Sequence, residues 1–437
     1  MTPDQNMSSK FRAALRNELA IWIQKGIVTE ETAKQLSSAY ELDNLRHEST
    51  RLLSSVIFTI GGLLLGGGLI SFVAANWELI PTPIKLALLG SALLGLHAIG
   101  FWLWHSKNWR RLGHALIFCG CLVFGANIGL VAQIFHISGN WYGGFGAWAL
   151  GSLVMAWAIR SWIIGVLALG TSFLWFLGFQ SDYDQSASAY PLILAIALLP
   201  LAWIIRSRVL YAGTLLGVIL AASVLAGYHG SGRQLLFTMA AGGMFTWALG
   251  EFHRASDWRM AFANITRALG LVLLAVAAFV WSFHSLWDAS TSGPMRSIWA
   301  FLFVSLAIVF SLLMWRRARE TQPLLTAGVL LAGGILCASS LLSGASVSNE
   351  EFLFTITTNL AALIVAAVII GVGLIDERRL AFWLGSLYLV LLILSRFLEY
   401  ETSLLLKSAA FVACGVTVII AGISYEKYLR RKAGSEV

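Results

Sequence analysis

The sequence predicts an all-α fold, a polytopic bundle of about fourteen transmembrane helices preceded by a short cytoplasmic helical hairpin. Three observations carry this expectation. Hydrophobic residues make up 58% of the chain and charged residues only 12%, against roughly 25% charged in a water-soluble domain. Apolar runs long enough to cross a bilayer, about 20 residues each, recur from Leu52 almost to the C-terminus. Lys and Arg cluster between every second pair of runs, as expected when basic loops stay on the cytoplasmic side.

Residues 1–51 read as the hairpin. Phe11, Leu15, Leu19, Trp22 and Ile23 share one helical face. Gly26 is a natural stop, and Thr29 can cap a second helix with Glu30 and Glu31 in its first turn. Ala33, Leu36, Tyr40 and Leu45 make the apolar stripe of that helix. A helix-turn-helix DNA reader would need a basic recognition helix, which this segment lacks. A docking or membrane-surface module fits it better. No cleavable signal peptide is expected, because the first apolar run begins after some fifty mostly polar residues.

Spans are expected at 53–74, 84–104, 112–135 and 144–159 within a first region, 52–160. The second region, 161–424, carries them at 162–179, 190–205, 209–227, 235–251, 268–287, 297–315, 324–342, 353–375, 380–398 and 404–424, before a basic tail at 425–437. Arg160 and Ser161 alone separate 144–159 from 162–179, and the runs 190–205 and 235–251 are short for a crossing.

All but five of the 30 Lys and Arg residues fall in the N-terminal segment, the even-numbered loops or the tail. The exceptions are Lys85, Arg233, Arg296, Arg396 and Lys407. This alternation predicts a bacterial cytoplasmic (inner) membrane protein with both termini in the cytoplasm, and it explains the net charge of +8 without nucleic acid. No Asp, Glu, Lys or Arg sits in the middle third of any expected span. That weighs against proton or sodium coupling, which commonly relies on ionisable groups within the membrane.

Unusual residues gather at the outer ends of the first helices. Asn76, Trp77 and Glu78 close the first span, Lys85 opens the second, and Gln133 and His136 close the third. Gln133 and His136, three apart, are expected on one helical face together with Gly125 and Gly129. One reading is structural: Asn76 caps, Trp77 anchors in the interface, Lys85 snorkels to water, and Gln133 and His136 tie loops together. The other is a ligand site in which Lys85 faces an anionic lipid or envelope ligand at the outer leaflet. A second cluster, Arg396, Glu399, Glu401 and Lys407, is expected to hold the last hairpin by ion pairing. No catalytic residue, metal site or cofactor is expected. The four cysteines lie in apolar runs, with Cys119 and Cys121 on different faces. The histidines form no metal-ligand spacing, and no phosphate-binding loop occurs.

Three segments together resemble a bacterial membrane-protein family known as domain of unknown function 2157. They are Trp22, Gly26, Ile27, Ala33, Leu36 and Tyr40; Ala75-Asn76-Trp77 with Lys85; and Gly125-Ala126-Asn127 leading to Gln133-Ile134-Phe135-His136-Ile137-Ser138-Gly139. The resemblance covers about residues 15–160 and implies a multi-pass inner-membrane protein without implying an activity. Arg396-Phe397-Leu398-Glu399 is similar to the ends of longer members.

Three functions compete. Many helices and no soluble domain fit transport or flipping of a lipid-like or envelope substrate. The N-terminal hairpin fits a non-catalytic scaffold that docks a cytoplasmic protein. A membrane-embedded enzyme fits less well, since the first outer loop offers only Glu78 as an acid.

Overall fold

The structure is a computed structural model. It describes residues 15, 18–19, 21–39, 79–106, 109–182, 187–228, 232–254, 260–283, 297–315, 322–342, 350–399 and 403–435. The chain divides into residues 1–88 and 89–437.

In the first unit, α1 (Glu30–Ala39) follows a helical stretch that stops at Gln24, just before Gly26. Gly26 takes a left-handed conformation, φ 69°, and Ile27 N–H returns to Trp22 O at 2.9 Å. This is the closure that favours glycine just past a helix end. Thr29 Oγ1 accepts from Thr32 N–H at 3.4 Å, as a cap should. Leu19 and Ala33 are buried against each other with Leu15, Trp22, Val28 and Leu36 around them. Ile23, expected on the apolar face, is exposed, and Val28 packs against the cluster. Phe11, Tyr40 and Leu45 lie outside the described residues.

Among the described residues, thirteen further helices follow in chain order: α2 (Thr82–His105), α3 (Arg110–Ile134), α4 (Trp141–Ile159), α5 (Trp162–Ser181), α6 (Tyr190–Ile204), α7 (Arg208–Tyr228), α8 (Gly232–Arg254), α9 (Met260–Trp281), α10 (Ile298–Trp315), α11 (Pro323–Leu342), α12 (Glu350–Ile375), α13 (Arg379–Glu399) and α14 (Leu404–Ser435). Among the described residues, eleven helices are long and apolar enough to cross a membrane, and the α6 and α10 segments are apolar but shorter. Each span expected from 84 onward falls on one of these helices. The first, 53–74, lies outside the described residues.

Arg160 and Ser161 suffice to separate α4 from α5. Arg160 is left-handed, φ 52°, and Ser161 N–H returns to Ala156 O at 3.1 Å. The same turn recurs between α6 and α7, where Arg206 has φ 53° and Ser207 N–H meets Ala202 O at 3.0 Å. The sequence repeats with it: Ala156-Trp157-Ala158-Ile159-Arg160-Ser161 and Ala202-Trp203-Ile204-Ile205-Arg206-Ser207. Each arginine sits where the helix dipole is negative, which favours a cation.

Helix α8 is central and the most buried of the spanning-length helices, while α2 is the least. Its Gly, Ala and Thr residues let neighbours approach closely. Against α9 the backbones touch. A Cβ at Gly270 would stand 2.7 Å from Gly243 O and Trp247 N, and one at Gly250 would stand 2.9 Å from Arg267 N. Threonines inside these helices return their hydroxyls to the preceding turn, as Thr246 does to Gly242 O at 2.9 Å and Thr266 to Phe262 O at 2.7 Å.

Several boundaries differ from the sequence reading. The run 235–251, expected to be short for a crossing, lies in α8, which at 23 residues is long enough to span. Helix α9 was expected over 268–287 but occupies Met260–Trp281, because Met260, Ala261 and Phe262 add an apolar turn in front. Arg267 therefore lies inside the helix and not in a loop before it. Helix α14 continues past 424 to Ser435, so most of the basic tail is helical.

Candidate functional site

The close contact of α8 and α9 sets Arg267 beside Glu251. Both side chains are almost wholly buried, at 4% and 2% exposure, and Arg267 Nε lies 2.8 Å from Glu251 Oε1. Arg267 Nη1 donates to Asp376 Oδ2, at the end of α12, at 3.1 Å, and Nη2 donates to Gln322 Oε1, just before α11, at 2.6 Å. Gln322 Nε2 donates to Asp376 Oδ1 at 2.7 Å. The guanidinium lies 4.6 Å over the Trp247 ring, within cation–π range, and Arg254 stands 3.8 Å from Glu251. One arginine fork thus engages three partners and joins four helices at one end of the bundle. A buried charge needs such pairing to persist.

At the opposite end of α9, Arg396 of α13 holds the turn after the helix. It donates to the Ser282 carbonyl and, at 3.0 Å, to Ser282 Oγ. Asn359 Nδ2 of α12 donates to the same carbonyl at 3.1 Å. Arg396 pairs with Glu399 at 2.5 Å as their spacing predicts. The cluster was expected to hold the α13–α14 hairpin. Instead Arg396 reaches across to α9, while Glu401 lies outside the described residues.

Beside the Arg267 cluster, an apolar groove of about 470 Å³ runs between α9, α12 and α13. Leu271, Val272, Phe279, Leu387 and Leu391 line it, and Tyr388, whose hydroxyl donates to Ala275 O at 3.0 Å, belongs to its wall. Its polar residues gather at the cluster end: Asn264, Arg267, Asp376 and Arg378. A second apolar groove, about 610 Å³, lies between α4, α5 and α6. It sits at the N-terminal ends of α4 and α6, away from Arg160 and Arg206. Ser172 and Tyr190, 3.0 Å apart, supply its polar contact. Both volumes fall within the usual range for small-molecule sites, about 300–1,000 Å³.

Asn76 and Trp77 lie outside the described residues. Lys85 is in the first turn of α2, in the unit of residues 1–88, half-buried, with its N–H on Pro81 O at 3.1 Å. Gln133 and His136 belong to residues 89–437, and both are exposed. They do not share a helical face. Helix α3 ends at Ile134, and His136 is left-handed, φ 49°. His136 N–H meets Gln133 O at 3.3 Å and Ile137 N–H meets Ala132 O at 2.9 Å. These are the paired bonds that terminate a helix at a left-handed residue. Gly125 does permit a close contact, with the Trp148 ring, whereas nothing stands near Gly129.

Residues 20–165 match the family DUF2157, described as a predicted membrane protein. No curated protein and no solved structure matches the chain. The DUF2157 segment takes in α1 to α4 and the opening of α5, so the α3 contacts belong to it. There Asn127, buried at mid-helix, donates to Leu89 O of α2 at 3.0 Å. Trp148 Nε1 of α4 donates to Cys121 O at 2.8 Å. The Arg267 cluster and its groove lie beyond the DUF2157 segment. So does Asp182, which accepts from Tyr142 Oη at 2.8 Å and joins the end of α5 to the start of α4.

Proposed function

We propose that this membrane protein handles a lipid-like substrate, binding it from the bilayer and moving it or presenting it between leaflets. The observation that carries the reading is the apolar groove beside the Arg267 cluster. It is nearly devoid of polar lining except at one end, which is the pattern of a lipid: a long apolar part and a polar head. The second groove, at the opposite ends of the helices, adds an apolar recess toward the other surface. We further propose fourteen spans in a bacterial cytoplasmic membrane, with the N-terminal hairpin and the C-terminus in the cytoplasm. The support is the alternation of basic loops with apolar helices. In that orientation the Arg267 cluster faces the cytoplasm. Asn76, Trp77 and Lys85, and separately Gln133 and His136, remain proposed as outer-leaflet contacts for an anionic lipid or envelope ligand.

Reconstitution tests the reading. Vesicles carrying a fluorescent phospholipid and the purified chain should lose inner-leaflet protection from a membrane-impermeant quencher faster than protein-free vesicles. Equal rates would count against lipid movement. A second reading, a scaffold, is favoured by Ile21, Ile23 and Ile27, which are exposed on the small N-terminal module. On that reading the chain moves no lipid, and the module retains a cytoplasmic protein that Ile27→Asp releases.

A further inference from the structure

The groove between α9, α12 and α13 carries more than a general affinity for lipid, because its mouth has a defined charge. From Ala381 to Leu391 the α13 wall rises about 15 Å at 1.5 Å per residue, which is the hydrocarbon depth of one leaflet, half of about 30 Å. A chain lying in it would reach from the cluster end to the bilayer midplane. The wall residues Val272, Val276, Leu384, Leu387 and Leu391 are about half exposed, so the groove is open along its side to the bilayer.

The donors at the mouth are unequal. Arg267 is already committed: its charge is paired with Glu251 and Asp376, and its Nη2 donates to Gln322. Both oxygens of Asp376 are likewise engaged, one by Arg267 and the other by Gln322, so this carboxylate does not offer a site for a cationic head. Arg379 pairs with Glu426 of α14 at 3.5 Å. Arg378 is exposed, lines the groove, and has no ion-pair partner among the described residues. Asn264, also exposed, lines the mouth. Tyr425 Oη donates to Gly373 O at 3.1 Å and its ring stacks on Phe382 at 4.0 Å, which fixes α14 beside the α12–α13 turn.

We infer that this groove is a binding site for an anionic phospholipid of the leaflet on the basic side, with one acyl chain along Leu271, Phe279, Leu387 and Leu391 and the phosphate held by Arg378 and Asn264. The inference rests on the reading of the groove as a lipid site and adds the class of lipid. The neutral cluster behind it forms a rigid back wall: Arg267 sets the distance between α9 and α12 without competing for the phosphate.

The test uses the full chain, purified from mixed vesicles of phosphatidylglycerol and phosphatidylcholine with matched acyl chains, and native mass spectrometry of the retained lipid. Wild-type protein should retain phosphatidylglycerol in excess of its share. Arg378→Gln should cut that enrichment about fivefold, the worth of one basic residue against anionic lipid, with total retained lipid unchanged. Leu387→Trp, at an exposed wall position that tolerates bulk, should lower retention of both lipids. Leu312→Trp on α10, exposed and away from the groove, should change neither. If Leu387→Trp lowers retention but Arg378→Gln leaves the enrichment intact, the headgroup assignment falls and the lipid reading stands. If Leu387→Trp retains as much lipid as wild type, the groove is not the site and both fall.

Discussion

Replacing Arg267 by Met keeps most of the side chain's bulk and removes its charge. Glu251, at 2% exposure, and Asp376, at 14%, then lose the cation they share. Glu251 keeps only Arg254 at 3.8 Å and the Gln322 N–H at 3.5 Å. Removing one member of a buried ion pair costs about 3–5 kcal/mol, mostly through the carboxylate left without compensation. Neutralising the three together, Glu251→Gln with Arg267→Met and Asp376→Asn, leaves only the partly exposed Arg254 charged, removes the stranded carboxylates and should recover much of that loss. Unfolding free energy in mixed micelles, titrated with a denaturing detergent and followed by tryptophan fluorescence, measures both variants. The single variant should lose about 3–5 kcal/mol and the triple variant distinctly less. A single variant within about 0.5 kcal/mol of wild type, the range of ordinary surface changes, would refute the role given to the cluster. A triple variant worse than the single one would do the same.

Three further outcomes are expected. Gly270→Ala places a methyl 2.7 Å from the α8 backbone and should cost about 1–3 kcal/mol, whereas Gly129→Ala, with nothing within 4 Å, should gain about 0.5–1 kcal/mol by helix propensity; the same titration compares them. His136→Gly relieves a left-handed residue at φ 49° and should stabilise the chain by about 1 kcal/mol, and if His136 serves the outer patch, lipid movement should fall even as stability rises. Reporter fusions within 343–349 should read outside and fusions at the C-terminus inside; a C-terminal fusion reading outside would break the even span count.

The helices were legible because apolar length and loop charge are local properties. The break at Arg160 was readable from two polar residues, and the Gly26 stop and Thr29 cap from residue type alone. The Arg267 cluster was not readable, for two reasons. Arg267 adjoined an apolar run whose true start, at Met260, was obscured by the mixed residues before it, so the arginine counted as loop. Its partners also lie far off in sequence, Gln322 at 55 positions and Asp376 at 109, and no periodicity reports such pairing. His136 failed differently: spacing of three implies a shared face only while the helix continues, and α3 stops at Ile134. The α9–α13 groove arises from packing between helices remote in the chain. In the sequence Arg378, at its mouth, is one of many basic loop residues with nothing to set it apart.

An experimental map of the full chain in a nanodisc containing phosphatidylglycerol tests the lipid assignment most directly. An elongated density along α13 from Ala381 to Leu391, ending in a head-group feature against Arg378 and Asn264, is the expected result. A groove closed by contact between α9 and α13, or an open one with no ordered chain in it, would contradict it.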